Sequence, residues 1–109
     1  MNHTTQIFKG ILEGCILKMI MREETYGYKV VEKMNKLGFG VNEATVYPIL
    51  TRLQNKGFLK TTKRPSPLGP PRKYYSVSND GIEELKKFIS TWNELGSIIK
   101  KVFEEDKND

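Results

Sequence analysis

The chain has 109 residues, of which 38% are hydrophobic and 28% charged, and its net charge is +5. This length is sufficient for one compact domain. It contains no apolar run long enough to span a bilayer and no secretory signal pattern, which predicts a cytoplasmic protein. One cysteine, Cys15, and one histidine, His3, exclude an internal disulfide and leave too few groups for a metal cluster or catalysis, so we expect neither a cofactor nor an enzyme.

Two amphipathic helices are predicted in the first forty residues. Apolar residues recur at spacings of three and four between about Thr4, which can serve as the N-cap, and Arg22. After the polar break at 23–25, the same period starts again at Gly27 and continues to Gly38, a residue type that commonly ends a helix. The second helix is therefore predicted to be short, with about three turns.

A third helix is predicted to begin after Asn42, as its N-cap, and to end near Gly57. Its inward stripe is apolar and its outward face is small, polar and basic. The stripe comprises Val46, Ile49, Leu50 and Leu53, and the outward face comprises Ala44, Thr45, Tyr47, Pro48, Thr51, Arg52 and Asn55. Pro48 conflicts with this prediction, because proline inside a helix removes a backbone hydrogen bond and costs about 3 kcal/mol.

Residues compatible with β-strands follow at 58–63 and 73–77, separated by the segment Pro-Ser-Pro-Leu-Gly-Pro-Pro at 65–71. This segment cannot be helical, so we interpret the region as a β-hairpin with a long basic tip. Three helices followed by a hairpin is the element order of a winged helix, in which the third helix enters the major groove of DNA.

The positive charge is concentrated in this central part of the chain. Residues 41–78 contain seven basic residues and one acidic residue, a net +6, whereas residues 79–109 contain five basic and eight acidic residues, a net −3. Such a distribution is typical of a surface that binds a polyanion. A solvated basic face without a partner is the alternative.

A last helix is predicted from Ser78, as N-cap, to about Phe103. Its apolar stripe nearly follows a seven-residue repeat and comprises Ile82, Leu85, Phe88, Ile89, Trp92, Leu95, Ile99, Val102 and Phe103. A helix of about 25 residues extends about 37 Å, farther than so small a domain can cover. We expect a second copy of the chain to cover the rest of the stripe, and packing on the first helix of the same chain is the alternative.

The sequence thus predicts a mainly α fold with a small β-hairpin, of class α+β. A winged helix-turn-helix DNA-binding domain would occupy residues 1–78. A long dimerisation helix with a short tail would occupy residues 79–109.

Three segments resemble the PadR family of bacterial transcriptional regulators. They are Tyr-Gly-Tyr-Lys-Val at 26–30, Asn-Glu-Ala-Thr-Val-Tyr-Pro at 42–48 continuing to Arg52 and Leu53, and Gly-Pro-Pro-Arg-Lys-Tyr-Tyr at 69–75. They occur in family order and at family spacing. The single C-terminal helix resembles that of a smaller subgroup that includes sensors of multidrug-type compounds. The resemblance implies a dimeric repressor that binds double-stranded DNA, and it implies that Pro48 is a regular feature of the recognition helix.

The resemblance, taken with the exposed polar positions, also identifies candidate DNA contacts. They are Gly27 at the start of the second helix, then Asn42, Thr45, Tyr47, Thr51 and Arg52 of the third, and Lys63, Arg64, Arg72 and Lys73 of the wing. For Tyr47, packing under the wing is an equal alternative.

The last helix has two further candidate roles. Its dimerisation residues would be Leu85, Ile89, Trp92, Ile99, Val102 and Phe103. In the drug-sensing subgroup, a tryptophan at the place of Trp92 stacks on flat aromatic ligands between subunits. The resemblance therefore implies a ligand pocket formed by Trp92 and Gly96, with Phe8, Leu12 and Ile16 as the opposite wall, and a planar aromatic effector. For Trp92, packing in the core is an equal alternative.

Two other classes of function stay open at this point. The chain could be a small-molecule-binding protein whose function is the pocket at Trp92. It could instead be a protein-interaction adaptor that docks a different partner on its last helix. The preferred mechanism places two recognition helices and two wings of a homodimer on a pseudo-palindromic operator.

Overall fold

The computed structural model describes residues 11–107, with side chains to residue 104. The elements are α1 (Leu12–Arg22), β1 (Thr25–Tyr26), α2 (Gly27–Lys36), α3 (Glu43–Asn55), β2 (Leu59–Ser66), β3 (Gly69–Val77) and α4 (Asn79–Lys107). The three strands form an antiparallel sheet in the order β1-β3-β2. This arrangement is a winged helix-turn-helix with a long C-terminal helix, and it confirms the predicted α+β fold class.

The first predicted helix is described from Leu12 onward. Helix α1 begins at Leu12, with Ile11 in the N-cap position, and ends at Arg22 as expected. Ile11 has no oxygen in its side chain, so it cannot accept a capping hydrogen bond. The predicted cap, Thr4, lies outside the described residues, as does His3.

The predicted caps of α3 and α4 are confirmed. The Asn42 Oδ1 atom accepts a hydrogen bond from the Thr45 backbone N–H at 3.1 Å. Ser78 Oγ accepts one from the Gly81 N–H at 3.0 Å and donates one to the Gly57 carbonyl at 2.6 Å. Gly57 has φ +82°, a conformation that other residues rarely adopt, and it ends the turn after α3. One serine therefore caps α4 and also fixes α4 to the loop after α3.

Helix α3 runs through Pro48 without a break. Proline lacks the N–H that would bond to the carbonyl of Ala44 four residues earlier. Both residues are exposed, so water can reach that carbonyl. The position of Pro48 on the solvent face explains how the helix tolerates it.

The wing differs from its prediction. Strands β2 and β3 continue into the proline-rich segment, and the turn between them is only Pro67 and Leu68, so the predicted long tip is wrong. The register between the two strands shifts between Arg64 and Ser66, where Pro65 lies opposite residues 70 and 71. Pro65, Pro70 and Pro71 fall at this bulge, outside the paired register, where a missing N–H does not interrupt the regular ladder.

The hydrophobic core lies among α1, α2, α3, the sheet and the first turns of α4. Gly14 of α1 allows α4 to approach closely, because any Cβ at this position would overlap the ring of Phe88. Leu85 is buried beside this contact. Among residues 11–104, the buried hydrophobic residues are Leu12, Ile16, Leu17, Ile20, Val30, Val31, Met34, Val46, Ile49, Leu50, Leu53, Leu59, Tyr75 and Leu85.

Beyond Phe88, the apolar face of α4 is uncovered by any described residue. Its large side chains are between 42% and 65% exposed, and they are Ile89, Trp92, Leu95, Ile98, Ile99, Val102 and Phe103. The helix gives the chain an elongated shape of 61 × 31 × 20 Å. No described helix is both long and apolar enough to cross a membrane. A contiguous apolar face of this length on one helix indicates an interaction surface.

Candidate nucleic-acid interface

The first turn of α3 carries two of the predicted DNA contacts. Asn42 Oδ1 accepts both the N–H and the hydroxyl of Thr45, at 3.1 and 3.3 Å. The oxygen of Asn42 is therefore committed to the cap, and its amide N–H groups remain for another partner. Thr51 lies two turns farther along, exposed on the outward face.

Tyr47 packs against the start of α2 and also keeps an exposed surface. Its ring lies against the start of α2, where a Cβ on Gly27 would be only 2.7 Å from the Tyr47 Cε1 atom. Burial, followed by the neighbouring Glu43 and Tyr28, raises the pKa of the Tyr47 phenol. Gly27 thus has a steric role that the sequence did not reveal, because it gives the ring of Tyr47 room against α2.

Arg52 is half exposed and forms an ion pair within the chain. Its Nε donates to Oε1 of Glu13 in α1 at 2.6 Å, and Lys56 Nζ lies 3.9 Å from the other oxygen of the same carboxylate. Helical spacing predicts the side of α3 on which Arg52 lies, but it does not predict an ion pair with Glu13, which is 39 positions away in the sequence. In this structure Arg52 fastens the end of α3 to α1.

The four basic residues predicted in the wing divide between its two faces. Lys63 pairs with Lys73 across the strands, and Arg64 pairs with Arg72. Directly paired residues share a face, and successive residues alternate between faces. The two lysines therefore share the face of Tyr75, which packs into the core, and the two arginines lie on the opposite face.

The arginine face of the wing holds a continuous stack of cations and aromatic rings. The Arg64 guanidinium lies 4.4 Å from the centre of the Tyr74 ring, and the Arg72 guanidinium lies 4.4 Å from that of Tyr26. The two tyrosine rings meet edge to face at 5.4 Å. Arg64 also forms an ion pair with Glu24 at 2.5 Å. Both arginines thus have partners within the chain, and the stack joins the two long wing strands to β1.

A cleft of about 390 Å³ lies between the start of α2, helix α3 and strand β3. It is lined by Tyr26, Gly27, Tyr28, Tyr47, Arg72, Lys73 and Tyr75. Sequence reasoning named four of these as separate DNA contacts and missed Tyr26, Tyr28 and Tyr75. The pairing of β1 with β3 brings them together. The available signal was the tyrosine-rich triplets Tyr-Gly-Tyr at 26–28 and Lys-Tyr-Tyr at 73–75.

The predicted ligand pocket is only partly formed by the residues proposed for it. Leu12 and Ile16 lie in the core of their own chain, so they do not form the open wall expected of them. Phe8 lies outside the described residues. Trp92 is 51% exposed, and the space beside Gly96 is open, since a Cβ there would meet no atom within 4 Å.

The predicted dimerisation set also needs one correction. Leu85 is buried against α1 within one chain, because the close approach at Gly14 brings the first turns of α4 into the core. The other five residues of the set, Ile89, Trp92, Ile99, Val102 and Phe103, are all exposed.

Comparisons with known proteins agree with this geometry. The profile of the transcriptional regulator PadR-like family matches residues 16–87. A PadR-like transcriptional regulator from Bacillus cereus is 41% identical, with a TM-score of 0.82 over 90% of this chain and 96% of that one. A Streptococcus transcriptional regulator is 39% identical, with a TM-score of 0.81 over 90% of this chain and 97% of that one.

A more distant relative has an equally similar fold. The PadR family transcriptional regulator from Eggerthella lenta is 27% identical, with a TM-score of 0.86 over 94% of this chain and 90% of that one. The matches extend from the helix-turn-helix through the wing and into the long C-terminal helix. This chain therefore belongs to the PadR-like family of transcriptional regulators.

Proposed function

We propose that this protein is a sequence-specific DNA-binding repressor that acts as a homodimer in the cytoplasm. The observation that carries the proposal is the exposed basic surface of α3 and the wing. All seven basic residues of the segment 41–78 are exposed, and Glu43 is its one carboxylate. A surface with this charge attracts a polyanion such as DNA, because binding releases the counterions that the DNA phosphates hold.

Within this surface, α3 is suited to read bases and the wing to hold phosphates. The start of α3 presents the amide of Asn42 and, farther along, the hydroxyl of Thr51, which are small polar groups that fit a major groove. Lys63 and Lys73 form no ion pair with any described carboxylate, so their charges are available to phosphates. Tyr47 and Gly27 lie between these two regions.

The homodimer is supported by the uncovered apolar face of α4. A second copy offers the same face, and a two-fold contact between identical helices buries both. The near-heptad spacing of its apolar residues suits helix-to-helix packing. Two heads joined in this way would bind two half-sites of a pseudo-palindromic operator and block transcription there.

Fluorescence anisotropy with DNA from upstream of the protein's own gene tests this proposal. Labelled native fragment and a scrambled fragment of equal length are titrated with the full chain across a salt series. The proposal predicts tighter binding to the native fragment at physiological salt, and a steep loss of affinity as salt increases. Equal and weak binding to both fragments would contradict an operator in that region.

A second candidate function is release from DNA by a flat aromatic effector. The observation in its favour is the half-exposed indole of Trp92 beside the open space at Gly96, one turn farther along the same face. An aromatic ring stacked there would regulate DNA binding only if it binds two arrangements of the heads with different affinities.

Intrinsic fluorescence tests the effector directly, because Trp92 is the single tryptophan of the chain. We expect planar aromatic dyes to quench or shift its emission with saturation, and we expect G96L to abolish the change by filling the open space. Unchanged emission in the unmodified protein would contradict an open site at Trp92.

A further inference from the structure

The turn between α2 and α3, residues 37–42, contains two glycines in the left-handed region of the backbone map. Gly38 has φ +103° and Gly40 has φ +64°, and glycine leaves the backbone of a turn more freedom than other residues do. The N–H groups of Leu37, Gly38 and Phe39 bond back to carbonyls in the last turn of α2. These bonds fix the first half of the turn, so the half that continues into α3 depends on another restraint.

Asn35, in the last turn of α2, supplies that restraint with its side chain. Its Oδ1 atom accepts a hydrogen bond from the Val41 N–H at 2.8 Å, and its Nδ2 atom donates one to the Val41 carbonyl at 2.9 Å. Val41 lies between the two helices, outside the hydrogen-bond ladder of either. Because the two bonds reach both polar groups of one residue, they fix its orientation as well as its distance from α2.

The hydrogen bonds continue from Val41 into α3. The next residue, Asn42, is the N-cap, and its Oδ1 atom accepts from both the N–H and the hydroxyl of Thr45. The buried residues of α3 begin only at Val46. The first turn of α3 is therefore held by a series of hydrogen bonds that leads back to Asn35, and the core holds the helix from the second turn onward.

We propose that Asn35 is a positioning residue for DNA recognition. Through Val41 and Asn42 it sets where the first turn of α3 lies, and thereby how well the protein distinguishes its operator from other DNA. The inference rests on the proposed function, in which this turn meets base edges. Reading bases requires donors and acceptors in the correct place, whereas non-specific binding depends on the charges of basic residues that lie elsewhere. Loss of the Asn35 side chain should thus weaken specific binding and spare non-specific binding.

The test compares N35A with the matched control S78A. Each variant removes a side chain that makes two hydrogen bonds to the backbone: Asn35 makes them before α3, and Ser78 makes them after it, to Gly57 and Gly81. Anisotropy titrations measure affinity for the native upstream fragment and for the scrambled one. We expect N35A to bind the native fragment about tenfold more weakly and the scrambled fragment equally well, with an unchanged salt slope. S78A should keep the preference of the unmodified protein.

Two results in these titrations would overturn the role of Asn35. One is an unchanged preference for the native fragment in N35A. The other is an equal loss of preference in S78A, because the effect would then follow from stability alone. Thermal unfolding shows whether each variant keeps its fold. If N35A does not, N35S is the second variant, since its shorter side chain cannot reach both groups of Val41, and it should show the same loss of preference.

Hydrogen exchange separates this proposal from the proposed function, because it requires no DNA. In the free protein labelled with ¹⁵N, we expect N35A to speed exchange of the Val41 and Thr45 amides and to leave that of Gly81 unchanged, and we expect S78A to do the reverse. Unchanged exchange at Thr45 in N35A would overturn the proposal whether or not the chain binds DNA. Faster exchange there, in a protein that does not prefer the native fragment, would refute the proposed operator and leave the coupling of Asn35 to α3 established.

Discussion

The head of the molecule (residues 11–88) and the distal part of α4 (residues 89–104) contain the same apolar residue types. These residues are buried in the head and exposed in the distal helix. Ile16 in the head is 0% exposed, and Ile99 in the distal helix is 51% exposed. The head buries its apolar residues among four helices and a sheet of one chain. The distal helix carries an equally regular apolar stripe that no described residue covers.

This difference shows that the two regions depend on different partners for stability. Burial of apolar surface is the main stabilising force in folding, and the head obtains it within one chain. None of residues 11–104 supplies it to the distal helix, and in the proposed homodimer a second copy would do so. Matched substitutions in the two regions should therefore have different consequences.

The largest effect on folding is expected at Ile16. I16A should lower the free energy of unfolding by about 3 kcal/mol, because it leaves a cavity among fully buried neighbours. The matched change I99A removes the same atoms from the exposed apolar face of α4 and, in the proposed homodimer, should mainly weaken association. Urea unfolding and sedimentation measure the two effects separately. Equal destabilisation of the head by both variants would mean that α4 is covered within its own chain.

A charge in the distal face should separate the subunits without unfolding the head. I99D would place a carboxylate inside the apolar contact, where burying an unpaired charge is costly. We expect a monomer with unchanged helical circular dichroism and at least about tenfold weaker operator binding. An exposed control on the opposite side of the helix, K101Q, should remain a dimer. A dimeric I99D would assign the interface to a different surface.

The two faces of the wing should differ in their salt dependence. Replacing Lys63 and Lys73 by glutamine should reduce the slope of log affinity against log salt by up to about 0.9 per residue. The matched replacement of Arg64 and Arg72 should reduce the slope less, because these arginines stack on tyrosines and one pairs with Glu24. Equal loss of slope in both variants would show that the arginines also contact phosphates.

The smallest effect is expected at the ion pair between α1 and α3. Both side chains are partly exposed, so solvent screening limits the contribution of Glu13 and Arg52 to less than about 1 kcal/mol. E13Q and R52Q should cost similar amounts in urea unfolding, and the double variant little more than either. R52Q should leave the salt slope of DNA binding unchanged. A flatter slope would return Arg52 to the DNA interface.

Local patterns in the sequence predicted much of this fold. Asn42 and Ser78 are strong N-caps, and Gly57 is a strong helix stop. Together they predicted the start of α3, the start of α4 and the end of α3 correctly, and the apolar period predicted the inward face of α3. The prediction failed where contacts between distant segments decide the structure. The prolines at 65, 70 and 71 indicated a loop, but they fall together at a bulge that only the pairing of two strands creates.

The candidate site was predicted less completely, for the same reason. Residue type and position selected Lys63 and Lys73, but sequence did not show that Arg52 meets Glu13 or that Arg72 stacks on Tyr26. The face on which Leu12 and Ile16 lie depends on how α1 packs, and here it faces the core. Tyr75 was missed because the pairing of β1 with β3, two segments far apart in the sequence, brings it into the cleft.

The most direct test of the central claim is the mass of the particle, measured by sedimentation velocity with and without operator DNA. The account predicts a free particle of twice the 12.6 kDa chain mass and a complex that contains two chains per duplex. A 12.6 kDa particle at micromolar concentration, together with one chain per duplex, would contradict the account. It would mean that the apolar face of α4 serves a different partner.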